Sequence, residues 1–139
     1  MSRPSIPMPP EPTSLSARYA LVSAGVSGVV LWAGTTLLTG RREAWDAAAY
    51  WTMAYPAGIV VSAVLGYLAT DRAWRWGLVL MLAQAVALAF FARDFSLLPL
   101  GFVLFGVLAL PPMVAATVGA RRRLSRDRSR GPSAGTPYS

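Results

Sequence analysis

Hydrophobic residues occur in four continuous runs, and none of the runs contains a charged residue. The runs are Tyr19–Thr39, Ala47–Thr70, Trp76–Ala92 and Phe95–Ala120. About 20 apolar residues in an α-helix cross the roughly 30 Å hydrocarbon core of a bilayer. The first, second and fourth runs reach that length. The third run reaches it if the interfacial Trp and Arg residues just before it extend the helix. The pattern predicts an all-α integral membrane protein, a helical bundle with four transmembrane helices.

Two other architectures fit the same runs less well. A buried bundle of soluble helices needs amphipathic surface to cover it, and the chain has almost none. A membrane β-barrel needs strands whose side chains alternate between apolar and polar, whereas these runs are continuously apolar. The helical membrane bundle is therefore the preferred interpretation.

The segments between and outside the runs give the domain boundaries. Residues 1–17 are rich in proline, which predicts a disordered N-terminal tail. A transmembrane domain is predicted over residues 18–120, with Pro111 and Pro112 kinking its last helix. Residues 121–139 are rich in Arg, Ser, Gly and Pro, and we expect them to form a disordered C-terminal tail. The four helices are expected at about 19–39, 47–70, 74–92 and 96–120.

The distribution of arginine predicts the orientation in the membrane. All 13 basic residues are Arg, and only Arg41, Arg42 and Arg93 would lie on the side opposite the other ten. The positive-inside rule places the arginine-rich side in the cytoplasm. Because four crossings return the chain to its starting side, both termini are predicted to be cytoplasmic.

Composition restricts the chemistry of the chain more than any motif does. The chain has no Cys and no His, which excludes thiol chemistry, imidazole bases and metal sites built on these ligands. Every charged residue lies at an end of a predicted span or outside the spans, whereas pumps and many transporters place ionisable groups within them. We therefore expect no enzymatic activity, no cofactor and no bound metal.

The amino-acid usage also indicates a source. Lys and Asn are absent, and Ile occurs only at Ile6 and Ile59. These residues have A-rich or A/T-rich codons, so their scarcity is typical of a GC-rich genome. We interpret the chain as bacterial, and its expected location is the cell inner membrane.

The second predicted helix carries small residues at intervals of four. Gly58, Ser62 and Gly66 lie on one helix face, which lets another helix backbone approach closely. Packing within the chain is the preferred interpretation, and a homodimer contact is the alternative. The Tyr55–Pro56 pair begins this face, and Pro56 predicts a bend that frees a backbone carbonyl. The bend is either structural or, as the alternative, part of a ligand or ion site.

Gln84 is the most polar side chain near the middle of a predicted span. An unpaired amide in hydrocarbon is costly, so we predict an interhelical hydrogen bond that fixes the packing. A contact with a ligand or substrate is the alternative.

Arginine is concentrated on the predicted cytoplasmic side, where the segment that contains Trp74 and Trp76 also lies. Both residue types favour the headgroup region, so we expect these side chains to contact anionic lipid headgroups. A docking surface for a membrane-protein partner is the alternative, and nucleic-acid binding is not expected because no folded reader accompanies the arginines. The candidate lipid or partner residues are Arg72, Trp74, Arg75, Trp76, Arg121, Arg122 and Arg123.

Several short motifs together resemble those of small four-helix bacterial inner-membrane proteins of uncharacterised function. The residues that carry the resemblance are Tyr55-Pro56, Gly66-Tyr67, Arg72, Trp74-Arg75-Trp76-Gly77 and Gln84. The resemblance covers about residues 45 to 120, and it implies a fold but no activity. The sequence therefore predicts a non-enzymatic accessory or scaffold subunit that binds lipid or a larger membrane complex. A small homo-oligomeric transporter or channel is the alternative.

Overall fold

The computed structural model describes residues 15–40, 48–92, 96 and 98–130. Within these ranges the chain is helical and forms no strand, which confirms the all-α prediction. A π-helical turn, Tyr50–Ala54, directly precedes the second helix. The α-helices are α1 (Ala17–Thr39), α2 (Tyr55–Leu68), α3 (Trp74–Ala92), α4 (Leu98–Leu108) and α5 (Leu110–Ser129).

Three helical segments are long and apolar enough to cross a membrane. They are α1, the π-helical turn together with α2, and residues 74–91 of α3. Helices α4 and α5 qualify only as a pair, and the pair is bent by 40° at its break. The structure is therefore compatible with three crossings, or with four if α4 and α5 form one bent span.

The break between α4 and α5 follows from the two prolines in the last apolar run. Pro112 has no N–H, so the carbonyl of Leu108 loses the donor that a continuous α-helix would supply. The Tyr55 hydroxyl donates a hydrogen bond to this carbonyl at 3.0 Å. The predicted kink is therefore present, and a side chain from α2 satisfies the carbonyl that the kink exposes.

The helices pack around α3, which contacts each of the other four. The most extensive pairings are α2 with α5 and α1 with α3. A Cβ atom built on Gly66 would overlap the Ala116 carbonyl oxygen, and one built on Gly119 would overlap the Ala63 carbonyl oxygen. Gly28 provides the same close approach between α1 and α3. The helix backbones therefore touch at these crossings, as they do where membrane helices meet through small residues.

Helix α5 extends beyond the predicted end of the transmembrane domain. The prediction that residues 121–139 form a disordered tail is wrong for residues 121–129, because α5 continues to Ser129. Arginine is a good helix former, and the Arg123 Nε atom lies 3.8 Å from an Asp127 carboxylate oxygen, one helical turn away. The Arg123 guanidinium also donates to the carbonyl of Leu68, at 2.8 Å. Residues 131–139 lie outside the described residues.

The start of α1 also differs from the prediction. The helix begins at Ala17, at the end of the segment predicted to be a disordered tail. The Leu15 backbone N–H donates to the Leu68 carbonyl at 3.1 Å, which fixes the chain just before the helix. The remainder of the predicted tail, residues 1–14, lies outside the described residues.

Substitution of Arg123 by alanine is expected to loosen the end of α5. The change removes hydrogen bonds to the α2 carbonyls of Tyr67 and Leu68 and the ion pair with Asp127. Bonds from a charged donor contribute about 1–2 kcal/mol each, so local opening should become roughly tenfold more frequent or more. Amide hydrogen exchange over residues 121–129 measures this opening.

The exposed neighbour Arg122 provides the control for this substitution. An Arg122→Ala variant should leave the exchange rates of residues 121–129 within about twofold of the parent protein. Equal exchange in the two variants would show that the Arg123 contacts do not hold the extension.

Candidate functional site

A buried hydrogen bond joins the π-helical turn to the middle of α3. The Tyr50 hydroxyl donates to the Gln84 Oε1 atom at 2.7 Å, and both side chains are almost completely buried. Gln84 therefore makes an interhelical hydrogen bond, which is the preferred of its two predicted roles. The ring centroid of Trp32 lies 5.8 Å from that of Tyr50 and 5.6 Å from that of Phe105. The space around the bond is thus filled by aromatic side chains.

The π-helical turn accommodates the proline that follows it. The Tyr55 N–H donates to the Tyr50 carbonyl, five residues earlier, instead of to the carbonyl four residues earlier. Pro56 then lies in the first turn of α2, where a missing N–H is tolerated. The extra residue in the turn also changes the helix phase, and Tyr50 is on its buried side. The irregularity at Tyr55–Pro56 therefore positions the Tyr50 side chain for its bond with Gln84.

The small residues of α2 pack inside the chain. Gly58, Ser62 and Gly66 are all buried. The Ser62 hydroxyl donates to the Gly58 carbonyl at 2.8 Å, and Gly66 meets the α5 backbone at Ala116. Because α5 and α3 occupy this face, a second copy of the chain has no access to it.

The predicted lipid or partner residues divide into two groups. Trp76 is only 2% exposed, and its indole N–H donates to the Ala69 carbonyl at 2.8 Å, so most of its side chain packs inside the bundle and not on the open surface. Arg123 is also turned inward, onto the end of α2. The exposed members of the set are Arg72, Trp74, Arg75, Arg121 and Arg122.

Helix periodicity explains why two neighbouring tryptophans differ. Residues two apart on an α-helix point about 200° apart, so Trp74 and Trp76 cannot share a face. Trp74 is 45% exposed and lines a surface groove of about 320 Å³ against α5, and Arg121 lines the same groove. The exposed arginines and Trp74 therefore surround one end of the bundle, which we call the arginine end.

Two adjoining crevices at the arginine end were not predicted from the sequence. Both are lined by Ala17 and Trp76, and their volumes are about 160 Å³ and 170 Å³. The first also has Arg18 and Arg75 in its wall. These arginines are far apart in the sequence, and only the packing of α1 on α3 brings them to one crevice. The second is lined further by Leu15, Ser16, Ala69, Thr70 and Asp71.

Removal of the Tyr50–Gln84 hydrogen bond provides a measurable test of the buried pair. Variants Tyr50→Phe and Gln84→Leu, and the two combined, form a double-mutant cycle. Because each single change leaves one buried polar group without its partner, we expect a coupling of about 1 kcal/mol between the two sites. Unfolding in mixed detergent micelles measures the stabilities.

The exposed Tyr19 gives a matched tyrosine control for that cycle. Tyr19→Phe is expected to leave the stability within about 0.5 kcal/mol of the parent protein. Additive effects of the two core substitutions would contradict the assigned bond.

Comparison with known proteins identified no relative of this chain. No family model, curated protein or solved structure matches the chain. The function is therefore inferred from the helices, the buried pair and the arginine end.

Proposed function

We propose that the protein is an integral membrane protein that crosses the bilayer four times. The spans are α1, the π-helical turn with α2, α3, and α4 with α5 as one bent helix. Support comes from the outer surface of the bundle, where large apolar side chains are exposed on every span. Examples are Leu38, which is 89% exposed, and Met53 and Phe90, each 71% exposed. Soluble monomers rarely expose so much contiguous apolar surface.

The proposed location is the inner membrane of a bacterial cell, with both termini in the cytoplasm. The arginine end supports this orientation, because side chains from α1, α3 and α5 bring their positive charges to the same end of the bundle. Reporter fusions at Ser139 and within residues 40–46 test it. We expect cytoplasmic activity from the first fusion and periplasmic activity from the second; the reverse pattern would overturn the orientation.

We propose that the protein acts as a non-enzymatic accessory or scaffold subunit that binds lipid or a larger membrane complex. The observation that carries this proposal is the filled interior of the bundle. Trp32, Tyr50, Phe105, Leu80 and Met81 are buried completely where the helices meet. The described crevices and grooves open on the outside, so binding to other molecules is expected at the outer surface. We also propose that the protein is related to the small four-helix bacterial inner-membrane proteins that its motifs resemble.

Co-purification from native membranes tests the accessory role. The protein, tagged at its C-terminus, is extracted with surrounding lipid in an amphipathic copolymer and compared with an unrelated four-span protein expressed at the same level. We expect a membrane-protein partner in stoichiometric amount with the first protein only. Repeated isolation without a partner would contradict the proposal. Isolation as a homo-oligomer that carries a solute across vesicle membranes would instead support the alternative function, a small transporter or channel.

A further inference from the structure

Two arginines from different helices line one crevice at the arginine end. Arg18 lies in the first turn of α1, and Arg75 lies in the first turn of α3. Both side chains are exposed, and they share the crevice of about 160 Å³ with Trp76 and Leu21. A guanidinium binds phosphate oxygens with two parallel N–H bonds, which makes an arginine pair well suited to a phosphate.

No acid neutralises this pair within the described part of the chain. The ion pair found there joins Arg123 to Asp127, on a different helix. Asp71 is the acid nearest to Arg75 along the sequence. It lines the neighbouring crevice and not the one that holds Arg18 and Arg75. The positive charge of the two guanidiniums is therefore available to an anion.

The neighbouring crevice has a different chemical character. Ser16 and Thr70 bring hydroxyl groups to it, and Asp71 brings a carboxylate. A carboxylate accepts hydrogen bonds and repels a phosphate, so this crevice favours a neutral group with several hydroxyls. Trp76 lies between the two crevices, and its indole is fixed by the hydrogen bond to the Ala69 carbonyl. The two binding environments are therefore held side by side.

Apolar surface begins directly beside the arginine pair. Leu21, one turn into α1 from Arg18, lines the same crevice and is 48% exposed. The next residue on α1, Val22, is 61% exposed. A ligand that occupies the crevices thus has a phosphate position, a hydroxyl position and an adjoining apolar surface.

We infer that the two crevices bind the headgroup of an anionic phospholipid that carries free hydroxyls, such as a glycerol headgroup. The phosphate lies between Arg18 and Arg75, the hydroxyls bond to Ser16, Thr70 and Asp71, and an acyl chain follows Leu21 along α1. This inference rests on the proposed membrane location and names the lipid that the protein selects.

Lipid retention by the purified full-length protein tests the inference. The protein is placed in nanodiscs of phosphatidylcholine that contain equal small amounts of phosphatidylglycerol and phosphatidic acid, and native mass spectrometry counts the lipids that remain bound. We expect phosphatidylglycerol to be retained at least about tenfold over phosphatidylcholine, which corresponds to about 1.4 kcal/mol. Soluble glycerol phosphate should not displace it, because it lacks the acyl chain.

Three variants separate the parts of the site. The double variant Arg18→Gln and Arg75→Gln should reduce phosphatidylglycerol retention about tenfold, and Arg128→Gln is the matched exposed control. The parent protein should retain more phosphatidylglycerol than phosphatidic acid, because only the former has free hydroxyls, and Thr70→Val should reduce that preference while retention of phosphatidic acid stays the same. Ala17→Phe fills both crevices without changing a charge, and it should reduce retention as strongly as the double variant.

The outcomes distinguish this inference from the proposed function. Equal retention of phosphatidylglycerol and phosphatidylcholine by the parent protein would overturn the lipid site, and so would unchanged retention in both the double variant and Ala17→Phe. Displacement by glycerol phosphate would also overturn it in favour of a soluble phosphate ligand. The reporter fusions and the co-purification do not depend on these results, so the site can fail while the membrane topology and the accessory role stand.

Discussion

Replacement of Gly66 by alanine is expected to reduce the free energy of unfolding by about 3 kcal/mol. The added Cβ would overlap the carbonyl oxygen of Ala116 and would also meet its carbonyl carbon and Cα. These are backbone atoms, so no side-chain rotation relieves the overlap, and α2 and α5 must move apart. That movement also disturbs the reciprocal contact of Gly119 with Ala63. Unfolding in mixed detergent micelles, monitored by tryptophan fluorescence, measures the loss.

Gly25 provides the matched control for this substitution. It lies in the interior of α1, and a Cβ built there has no atom within 4 Å. Alanine is a better helix former than glycine, so Gly25→Ala should leave the stability unchanged or raise it by about 0.5–1 kcal/mol. Equal stability of the Gly25→Ala and Gly66→Ala variants would show that α2 and α5 do not touch at Gly66.

Truncation of Trp32 to alanine is expected to cost about 3–5 kcal/mol. Trp32 is completely buried and packs edge-to-face with both Tyr50 and Phe105. Its removal leaves a cavity where α1, the π-helical turn and α4 meet. In the proposed bilayer setting the loss comes chiefly from lost packing contacts, since the unfolded helices would remain in an apolar solvent.

Trp74 serves as the control for the Trp32 truncation, because it is 45% exposed. We expect Trp74→Ala to change the stability by less than about 1 kcal/mol. Thermal unfolding of both variants in detergent, followed as the onset temperature of aggregation, gives the comparison of their stabilities. Similar losses in the two tryptophan variants would contradict the central position of Trp32.

The positions of α1 to α4 could be predicted from the sequence because nearly all of each one lies in a long uncharged run. A bilayer-length apolar run has few alternatives to a helix, since every backbone group must be satisfied within the segment. The kink at Pro111–Pro112 followed from the missing N–H groups. The end of α3 and the end of α1 agree with the predicted bounds at Ala92 and Thr39.

The helical end of α5 could not be predicted in the same way. Residues 121–129 have the composition of a solvated tail, and composition carries no information about where a guanidinium finds its acceptors. Arg123 reaches the carbonyls of Tyr67 and Leu68 only because α5 lies along α2. A local signal was present in the Arg123 and Asp127 spacing, since residues four apart form ion pairs on a helix.

The candidate site was predictable only in part. Arg75 was identified by its type and by its place at a helix end. Arg18 was not, because only the packing of α1 on α3 brings it into the same crevice as Arg75. Trp76 was assigned to the interface by residue type, and the structure places it inside because of its helix phase. Tyr50 became the partner of Gln84 through a π-helical turn, which a regular 3.6-residue period does not anticipate.

The carbonyl oxygen of Leu68 has a consequence for the order in which the protein assembles. It accepts hydrogen bonds both from the backbone before α1 and from Arg123 near the end of α5. One acceptor therefore joins the first and last described helices at the end of the second. Helix α5 follows the other described helices in chain order, so they are synthesised before the α5 backbone that covers Gly66. Packing of α5 onto that face of α2 therefore completes the bundle of described helices.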